Sequence, residues 1–324
     1  MEALGQYRAS NMLERPEEYL AILMYHGIEE RPEIRALRRQ DIGSDSCIAE
    51  VRFFKRQGYR PVRPGEWQKT GGEGAKLLVT FDDAHLNTFD LLQRLSLEES
   101  VPVLVAVCPE VVESGEPFWW EEVSARLALS RMWQKWGSTS GKGLDHSYDS
   151  FLMAHYFTPR RRSGEVLEQV RRLTRDVSPE QVTESAHVHS NMTWCHLAEL
   201  AATGLCTFAA HSLAHEAATH MSLDEFERDA SQCRETIEAK LGIECRDYVY
   251  PFGSSNLFSE GTEAILRAVG YTRSYTTEHR INYVHEWMGL GRFTGTGLDV
   301  SARYYEYLWR RRHLSHSDGA ASPL

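Results

Sequence analysis

The most regular feature of the chain is an alternation of amphipathic helical segments with short apolar runs. The clearest helical segment is "SLDEFERDASQCRETIEAKLG", which begins at Ser222. Ser222 and Glu225 form a capping box at its start, and Gly242 stands where helices commonly end. The apolar residues that share one face of this predicted helix are Phe226, Ala230, Cys233 and Ile237.

Three further segments, 48–58, 193–204 and 262–270, have the same pattern and also end at a glycine. With the apolar runs they predict about seven strands. The strand candidates are "AILMY", "YRPV", "LLVTF", "VPVLVAV", "LCTFAA", "CRDYVYPFG" and "YTRSY". Most of these runs are apolar throughout, which is typical of a parallel sheet covered by helices. The pattern therefore predicts an α/β fold, either a barrel or a doubly wound sheet.

The alternation stops between Cys108 and Met192. This stretch contains "FWWEEV", a polar "GSTSGKGLDHS" and a helical "SGEVLEQVRRLTRDV". We therefore expect a largely helical insertion at about residues 110–190, with a flexible loop at 137–147, and insertions of this kind shape a substrate entrance. The small, polar segment 315–324 is predicted to be disordered, which leaves one catalytic domain over residues 1–314.

Composition indicates the size of the core, the kind of partner and the state of the cysteines. A chain of 324 residues that is 42% hydrophobic can bury one sizeable core, and a formal charge of -10 argues against nucleic acid as the main partner. The six cysteines form no C-x-x-C pair, so we expect reduced thiols. The first 28 residues do not read as a signal peptide, and no apolar window reaches the roughly 20 residues of a membrane span. We expect a soluble, cytoplasmic protein.

Two pairs of polar residues follow apolar strands. Asp82 and Asp83 come directly after "LLVTF", and His211 and His215 come after "TFAA". In an α/β barrel the carboxyl ends of the strands meet at one face, so the two pairs can converge. Two imidazoles and one carboxylate form a three-ligand site with an open position, as in hydrolytic zinc enzymes and non-haem iron oxygenases. One aspartate would bind metal and the other would act as a base.

Each pair, taken alone, is also compatible with a purely structural role. An Asp-Asp pair between a strand and a helix often caps the helix, and an H-x-x-x-H spacing is often incidental. The spacing is not the H-E-x-x-H of metalloproteases, because Ser212 occupies the glutamate position. The joint occurrence of both pairs, each after an apolar strand, favours the metal site.

At these residues the sequence resembles the polysaccharide deacetylase, or NodB-homology, family of carbohydrate esterases. "TFDDA", "HSLAH" and "YPFG" are similar to three ordered motifs of that family, the last one typical of one large branch. "MYHGI" and "MTWCHLAELAATG" also match, and the resemblance covers roughly residues 20–295. It implies a distorted (β/α) barrel of about seven parallel strands with a largely helical insertion.

The resemblance also implies a division of roles among the polar residues. A divalent metal, most often zinc, would be held by Asp83, His211 and His215. Asp82 would be the general base that takes a proton from the attacking water.

Further roles follow from the same resemblance. The backbone N–H of Phe252 would help to hold the oxyanion. Arg292, in "GLGRFTG", would steady Asp82 or a substrate anion. His26, at the end of the first strand, matches a position close to the metal, although a packed strand-end histidine explains it equally well.

The sequence departs from the family pattern at two places. Ala84 replaces the usual glycine after the aspartates, so we expect this residue to avoid positive φ, which is costly for alanine. The C-terminal L-x-H motif that supplies a general acid in many relatives is not evident. His279 and His285 lie in the right part of the chain and are the candidates for that role.

These features predict a metal-dependent hydrolase that removes the N-acetyl group of an amino-sugar-containing substrate. Sugar nucleotides, glycolipid precursors, glycosides and oligosaccharides are all possible substrates, and Trp119 and Trp120 either stack on a sugar or pack the insertion onto the barrel. Two alternatives stay open: a hydrolase of non-sugar amides or imides on the same fold, and a carbohydrate-binding relative without activity.

Overall fold

A single curled sheet forms the centre of the protein. The computed structural model describes residues 19–31, 41–69, 74–130, 160–280, 282–283 and 285–295. The strands in these ranges are β1 (Tyr19–Tyr25), β2 (Arg60–Pro61), β3 (Lys76–Phe81), β4 (Val103–Val107), β5 (Cys206–Ala210), β6 (Asp247–Val249), β7 (Arg273–Tyr275), β8 (Asn282–Tyr283) and β9 (Phe293–Thr294). The first seven coincide with the seven predicted strands. The two-residue strands β8 and β9 were not predicted.

The strand order is β7-β6-β5-β4-β3-β1-β8, with β2 paired to β3 and β9 paired to β1. Each pair is parallel except β8 with β1. In the central pair, Ile22 lies opposite Leu78. The predicted parallel α/β sheet is confirmed.

The segment 287–295 bridges β7, at one end of this strand order, and β1, near the other end. On one side the N–H of Leu290 donates to the carbonyl of Ser274, in β7, at 2.9 Å. On the other side the N–H of Gly295 donates to the carbonyl of Met24, in β1, at 2.8 Å. The sheet thus closes into a distorted barrel, as the resemblance implied.

Helices surround the sheet. They are α1 (Ser44–Arg56), α2 (Glu66–Lys69), α3 (Phe89–Leu97), α4 (Pro109–Ser114), α5 (Trp119–Leu129), α6 (Arg160–Leu173), α7 (Pro179–Thr183), α8 (Trp194–Ala202), α9 (Leu223–Leu241) and α10 (Glu260–Val269). Helix α9 has the predicted capping box at Ser222 and ends at Gly242, whose φ is 64°. Helices α4 to α7 lie within the predicted insertion, and the predicted loop 137–147 and the tail 315–324 lie outside the described residues.

Two apolar layers hold the barrel together. Strand residues that alternate along β1 and β3 face opposite sides, so Ile22 and Leu78 belong to the interior cluster, while Leu23 and Val79 pack against the helices. All four are fully or almost fully buried. Because both faces of the sheet are covered, the carboxyl ends of the strands form a rigid platform for side chains.

The cysteines are free thiols, as predicted. Five of them are buried and Cys195 is exposed. No helix within the described residues is long and apolar enough to span a membrane.

Candidate metal centre

The two aspartates sit on a strained turn at the end of β3. Asp83 has φ of 70° and Ala84 has φ of 51°. The expectation that Ala84 avoids positive φ is therefore wrong. Its carbonyl accepts from the N–H of Met192 at 2.9 Å and its side chain is buried, so the surrounding contacts hold the alanine in this conformation.

The two histidines lie on a compact loop after β5. Ser212 and His215 both have positive φ, 60° and 58°. From α9, the carboxylate of Asp229 accepts from the N–H of Leu213 at 3.1 Å and from the hydroxyl of Ser212 at 3.3 Å. The Ser212 oxygen in turn accepts from the N–H of Glu216 at 3.0 Å. A hydrogen-bonded loop, rather than a helical turn, thus brings both imidazoles to the same side.

Asp83, His211 and His215 converge as predicted. Asp83 Oδ1 lies 3.6 Å from His211 Nε2 and 3.5 Å from His215 Nε2. Ligand atoms about 2.1 Å from a tetrahedral zinc are about 3.4 Å apart, so these spacings suit a divalent metal. Asp83 Oδ1 is buried and has no hydrogen-bond partner among the described residues. The three residues fit a metal.

The protonation states also suit metal binding. His211 Nδ1 lies 2.8 Å from the carbonyl oxygen of Val249, to which it donates, so in the neutral ring Nε2 carries the lone pair that can bind metal. Burial lowers the pKa of His215 to about 3. Burial alone would raise the pKa of Asp83, but its contact with His85 and the nearby imidazoles lower it well below the usual value. The centre therefore offers a neutral His215 imidazole, the Nε2 of His211 and an ionised Asp83, which are forms that bind metals.

Asp82 forms a buried ion pair with Arg292. The guanidinium donates from Nη1 to Oδ1 at 2.7 Å and from Nη2 to Oδ2 at 2.8 Å, while its Nε donates to the carbonyl of Thr276 at 2.9 Å. Burial opposes ionisation of Asp82, but Arg292 outweighs it and the pKa of Asp82 falls below its usual value. His26 Nε2 lies 3.9 Å from Asp82 Oδ2, and burial lowers the pKa of His26.

Aromatic rings form one wall of the centre. Trp120, on α5 of the insertion, lies 4.8 Å from His215 between ring centroids and stacks on Phe118 at 4.6 Å. Phe252 meets His215 edge-on at 4.7 Å, and its own φ is 61°. The insertion therefore contributes directly to the site.

Two predicted residues lie on the exposed surface. His279 Nε2 is 3.2 Å from Thr294 Oγ1, and His285 stacks on Tyr283 with centroids 5.7 Å apart. A general-acid role for either histidine remains a prediction.

A second buried cluster lies beside the centre. His85 Nε2 is 3.6 Å from Asp83 Oδ2, and the His85 ring stacks on His189 with centroids 4.1 Å apart. His189 contacts Glu121 and Asp41. None of these four residues was predicted from the sequence. Only His85 could have been found from the sequence, because it directly follows the "TFDDA" motif. The other three residues come from separate loops and helices.

Solved structures share this fold. IcaB from Ammonifex degensii aligns at a TM-score of 0.58 and 17% identity, over 91% of this chain and 98% of that chain. The deacetylase PplD from Streptococcus pyogenes, solved with acetate, aligns at 0.58 and 14% identity, over 90% and 99%. A de-N-acetylase from Aggregatibacter actinomycetemcomitans aligns at 0.55 and 12% identity, over 89% and 100%. No curated protein sequence matches this chain.

A sequence model of the polysaccharide deacetylase family matches residues 180–274. The matched segment contains both candidate histidine ligands and the "YPFG" turn, while the "TFDDA" motif lies before it. The sequence match and the shared fold together confirm the resemblance of this chain to the polysaccharide deacetylase family.

Proposed function

We propose that this protein is a zinc-dependent N-deacetylase, which hydrolyses the acetamide of an amino-sugar-containing substrate to acetate and a free amine. The observation that carries the proposal is the convergence of Asp83, His211 and His215 beside the Asp82–Arg292 pair. The family match and the fold shared with solved deacetylases support it.

The three converging residues would hold the metal, and the family is metal-dependent in general. When bound, zinc would polarise the acetamide carbonyl and lower the pKa of water, which supplies a nucleophile near neutral pH. Two neutral imidazoles and one carboxylate leave room for water and substrate.

Asp82 would be the general base. Its two oxygens both accept from Arg292, so the carboxylate is kept ionised and fixed in orientation inside a buried site. Asp82 would remove the proton of the water that attacks the acetamide carbon.

The proton that Asp82 gains must finally reach the leaving amine. His26, 3.9 Å from Asp82, is placed to pass it on, because burial keeps its imidazole neutral and able to accept. In this scheme His26 takes part in the protonation of the amine, which is the general-acid role for which His279 and His285 are the candidates from the sequence.

The wall formed by Trp120 and Phe252 would bound the acetyl group and the sugar. The backbone N–H of Phe252, at a turn with φ of 61°, is the proposed donor to the oxyanion. The exposed part of Trp120 would offer an apolar face to a sugar ring.

Acetate release by zinc-loaded protein from a panel of N-acetylated monosaccharides, sugar nucleotides and oligosaccharides tests the proposal. Asp82→Asn should lose at least a hundredfold in rate, because base catalysis contributes about 10²–10⁴-fold. Asp90→Asn, which changes an exposed aspartate eight residues later, should behave as the wild type. Equal rates in Asp82→Asn and the wild type would refute the base assignment, and release only from non-sugar amides would refute the substrate class.

A further inference from the structure

His189 lies between two buried carboxylates. Its Nδ1 is 2.5 Å from Glu121 Oε1, and its Nε2 is 3.0 Å from Asp41 Oδ2. The side chains of Asp41 and Glu121 are only 2% and 6% exposed. Both nitrogens of the ring therefore face acceptors that solvent does not reach.

With both carboxylates ionised, this arrangement favours a positively charged ring. A neutral imidazole has one N–H and one lone pair, so it can donate to only one of two carboxylates. The second contact would then set a lone pair against an anionic oxygen at hydrogen-bond distance. An imidazolium donates in both directions, and the two carboxylates raise the pKa of His189 to about 9 although burial acts to lower it.

The same geometry argues against a second metal at His85, Glu121 and His189. The rings of His85 and His189 are stacked, with an angle of 21° between their planes. An imidazole binds metal along a lone pair in its ring plane, and the in-plane lone pairs of stacked rings do not converge on one point. The group is better described as an ion cluster, which we call the His189 clamp and define as His189, Asp41 and Glu121.

The clamp lies next to two segments that carry residues of the metal centre. His189 supports the ring of His85, whose Nε2 is 3.6 Å from Asp83 Oδ2. His189 also lies next to Gly27, directly after His26. A Cβ placed on Gly27 would lie 2.5 Å from His189 Nε2, so glycine is required where the chain passes the clamp.

The clamp also joins three separate segments. Asp41 precedes α1, Glu121 lies on α5 of the insertion, and His189 follows α7. The insertion, which carries Trp120, is thereby tied to the loops after β1 and β3. A cavity of about 660 Å³ opens next to His189. The charged residues that line the cavity with His189 are Glu29, Glu30, Arg31, Asp90 and Arg94.

We propose that His189 is a positioning residue of the metal centre: an imidazolium, held between Asp41 and Glu121, that fixes His85 against Asp83. The inference rests on the proposed function for the identity of the metal centre. It adds a residue outside the ligand set that acts through His85.

Nitrogen NMR of the wild-type protein, labelled with ¹⁵N-histidine, tests the charge of His189. The resonances of His189 are assigned as those missing from the spectrum of His189→Gln. At pH 7 both ring nitrogens should be protonated, and they should titrate near pH 9. Glu121→Gln should lower that midpoint. One protonated and one unprotonated nitrogen at pH 7 would overturn the proposal.

The positioning role is tested by zinc affinity, measured by competition with a chelator. His189→Gln and Glu121→Gln should each weaken binding by about tenfold, the lower end of the effect of residues that orient metal ligands. The matched control is His196→Gln, at a half-buried histidine in the capping box of α8, where glutamine also suits the position. Equal zinc affinity in wild type and both clamp variants would overturn the proposal, and these affinities decide it even if the wild type releases no acetate.

Discussion

Arg292 meets Asp82 although 210 residues separate them in the sequence. Neither side chain is appreciably exposed, and the guanidinium is fully buried. A buried pair of this kind is costly to break, because the remaining charge has neither solvent nor partner. The pair therefore links the stability of the barrel to the ionisation of the proposed base.

Arg292→Gln should raise the pKa of Asp82, since burial then acts without the opposing guanidinium. In the wild type the pKa of Asp82 is lower in the folded than in the unfolded chain. Its contribution to stability is thus present above the unfolded pKa and lost as pH falls through the folded pKa. We expect the acid limb of kcat/KM to move to higher pH and the free energy of unfolding at pH 7 to fall by about 3–5 kcal/mol.

The pH dependence of kcat/KM measures the first effect, and urea unfolding at pH 7 measures the second. Arg267→Gln, which removes an exposed arginine paired with Glu263 on α10, is the matched control and should change neither. An unchanged acid limb in Arg292→Gln would contradict the role given to the arginine.

Ala84 shows strain at a single residue. In Ala84→Gly, relief of the positive φ stabilises the fold by about 1–2 kcal/mol. Loss of the buried methyl costs about 0.8 kcal/mol, and the greater conformational entropy of glycine in the unfolded chain costs about 0.5–1 kcal/mol. Ala84→Gly should therefore lie within about 1 kcal/mol of the wild type in urea unfolding. Ala84→Val should lose more than about 2 kcal/mol, because a branched side chain at φ of 51° is strained and the site is closed. Equal stability of the two variants would show that the turn relaxes.

At the scale of elements, the loop that carries His211 and His215 depends on α9. Asp229 receives two hydrogen bonds from this loop, and burial raises its pKa to about 6. A carboxyl group whose folded pKa lies above its unfolded value of 3.8 is destabilising when ionised. Its cost is absent below pH 3.8, grows between pH 3.8 and 6, and is complete above pH 6.

Asp229→Asn should remove this cost while its amide oxygen still accepts from the loop. The variant should therefore gain stability relative to the wild type as pH rises from 4 to 7, by up to about 3 kcal/mol. Urea unfolding of both proteins across this range checks the prediction. A constant difference between them would mean that Asp229 does not titrate there.

Local patterns explain which elements were predictable. Helix α9 carries its capping box, apolar face and final glycine within one continuous segment, and strands β1, β3, β4 and β5 are largely apolar runs. Strands β8 and β9 are two residues long, and each is defined by its pairing with β1 rather than by a pattern in its own sequence. The His189 clamp was not predictable, because His189 is 148 residues from Asp41 and 68 from Glu121.

At the scale of the whole molecule, a buried asparagine takes part in the closure of the barrel. Asn282 is fully buried, and its amide donates to the carbonyls of Leu20 and Gly291 and accepts from the N–H of Gly291. Asn282→Ala should cost about 2–3 kcal/mol, since it leaves these backbone groups without partners. Asn256→Ala, at an exposed asparagine, is the control, and equal urea midpoints for the two variants would contradict the closure role.

Metal binding should stabilise the whole fold, because its ligands follow strands β3 and β5. Zinc in excess should raise the thermal midpoint of the wild type, in proportion to the logarithm of its free concentration. His215→Ala should lose this response, since one of three ligands is missing. A zinc-dependent shift of the same size in His215→Ala would exclude the proposed ligand set.

The position of Arg292 on the segment that joins β7 to β1 has a consequence for how the protein matures. During synthesis the residues of the metal centre leave the ribosome well before this segment, which is near the end of the described chain. Until the segment docks, Asp82 is without the guanidinium that holds its pKa down. The proposed base therefore gains its cation only once this late segment has docked, so deacetylation by Asp82 would require the docked segment.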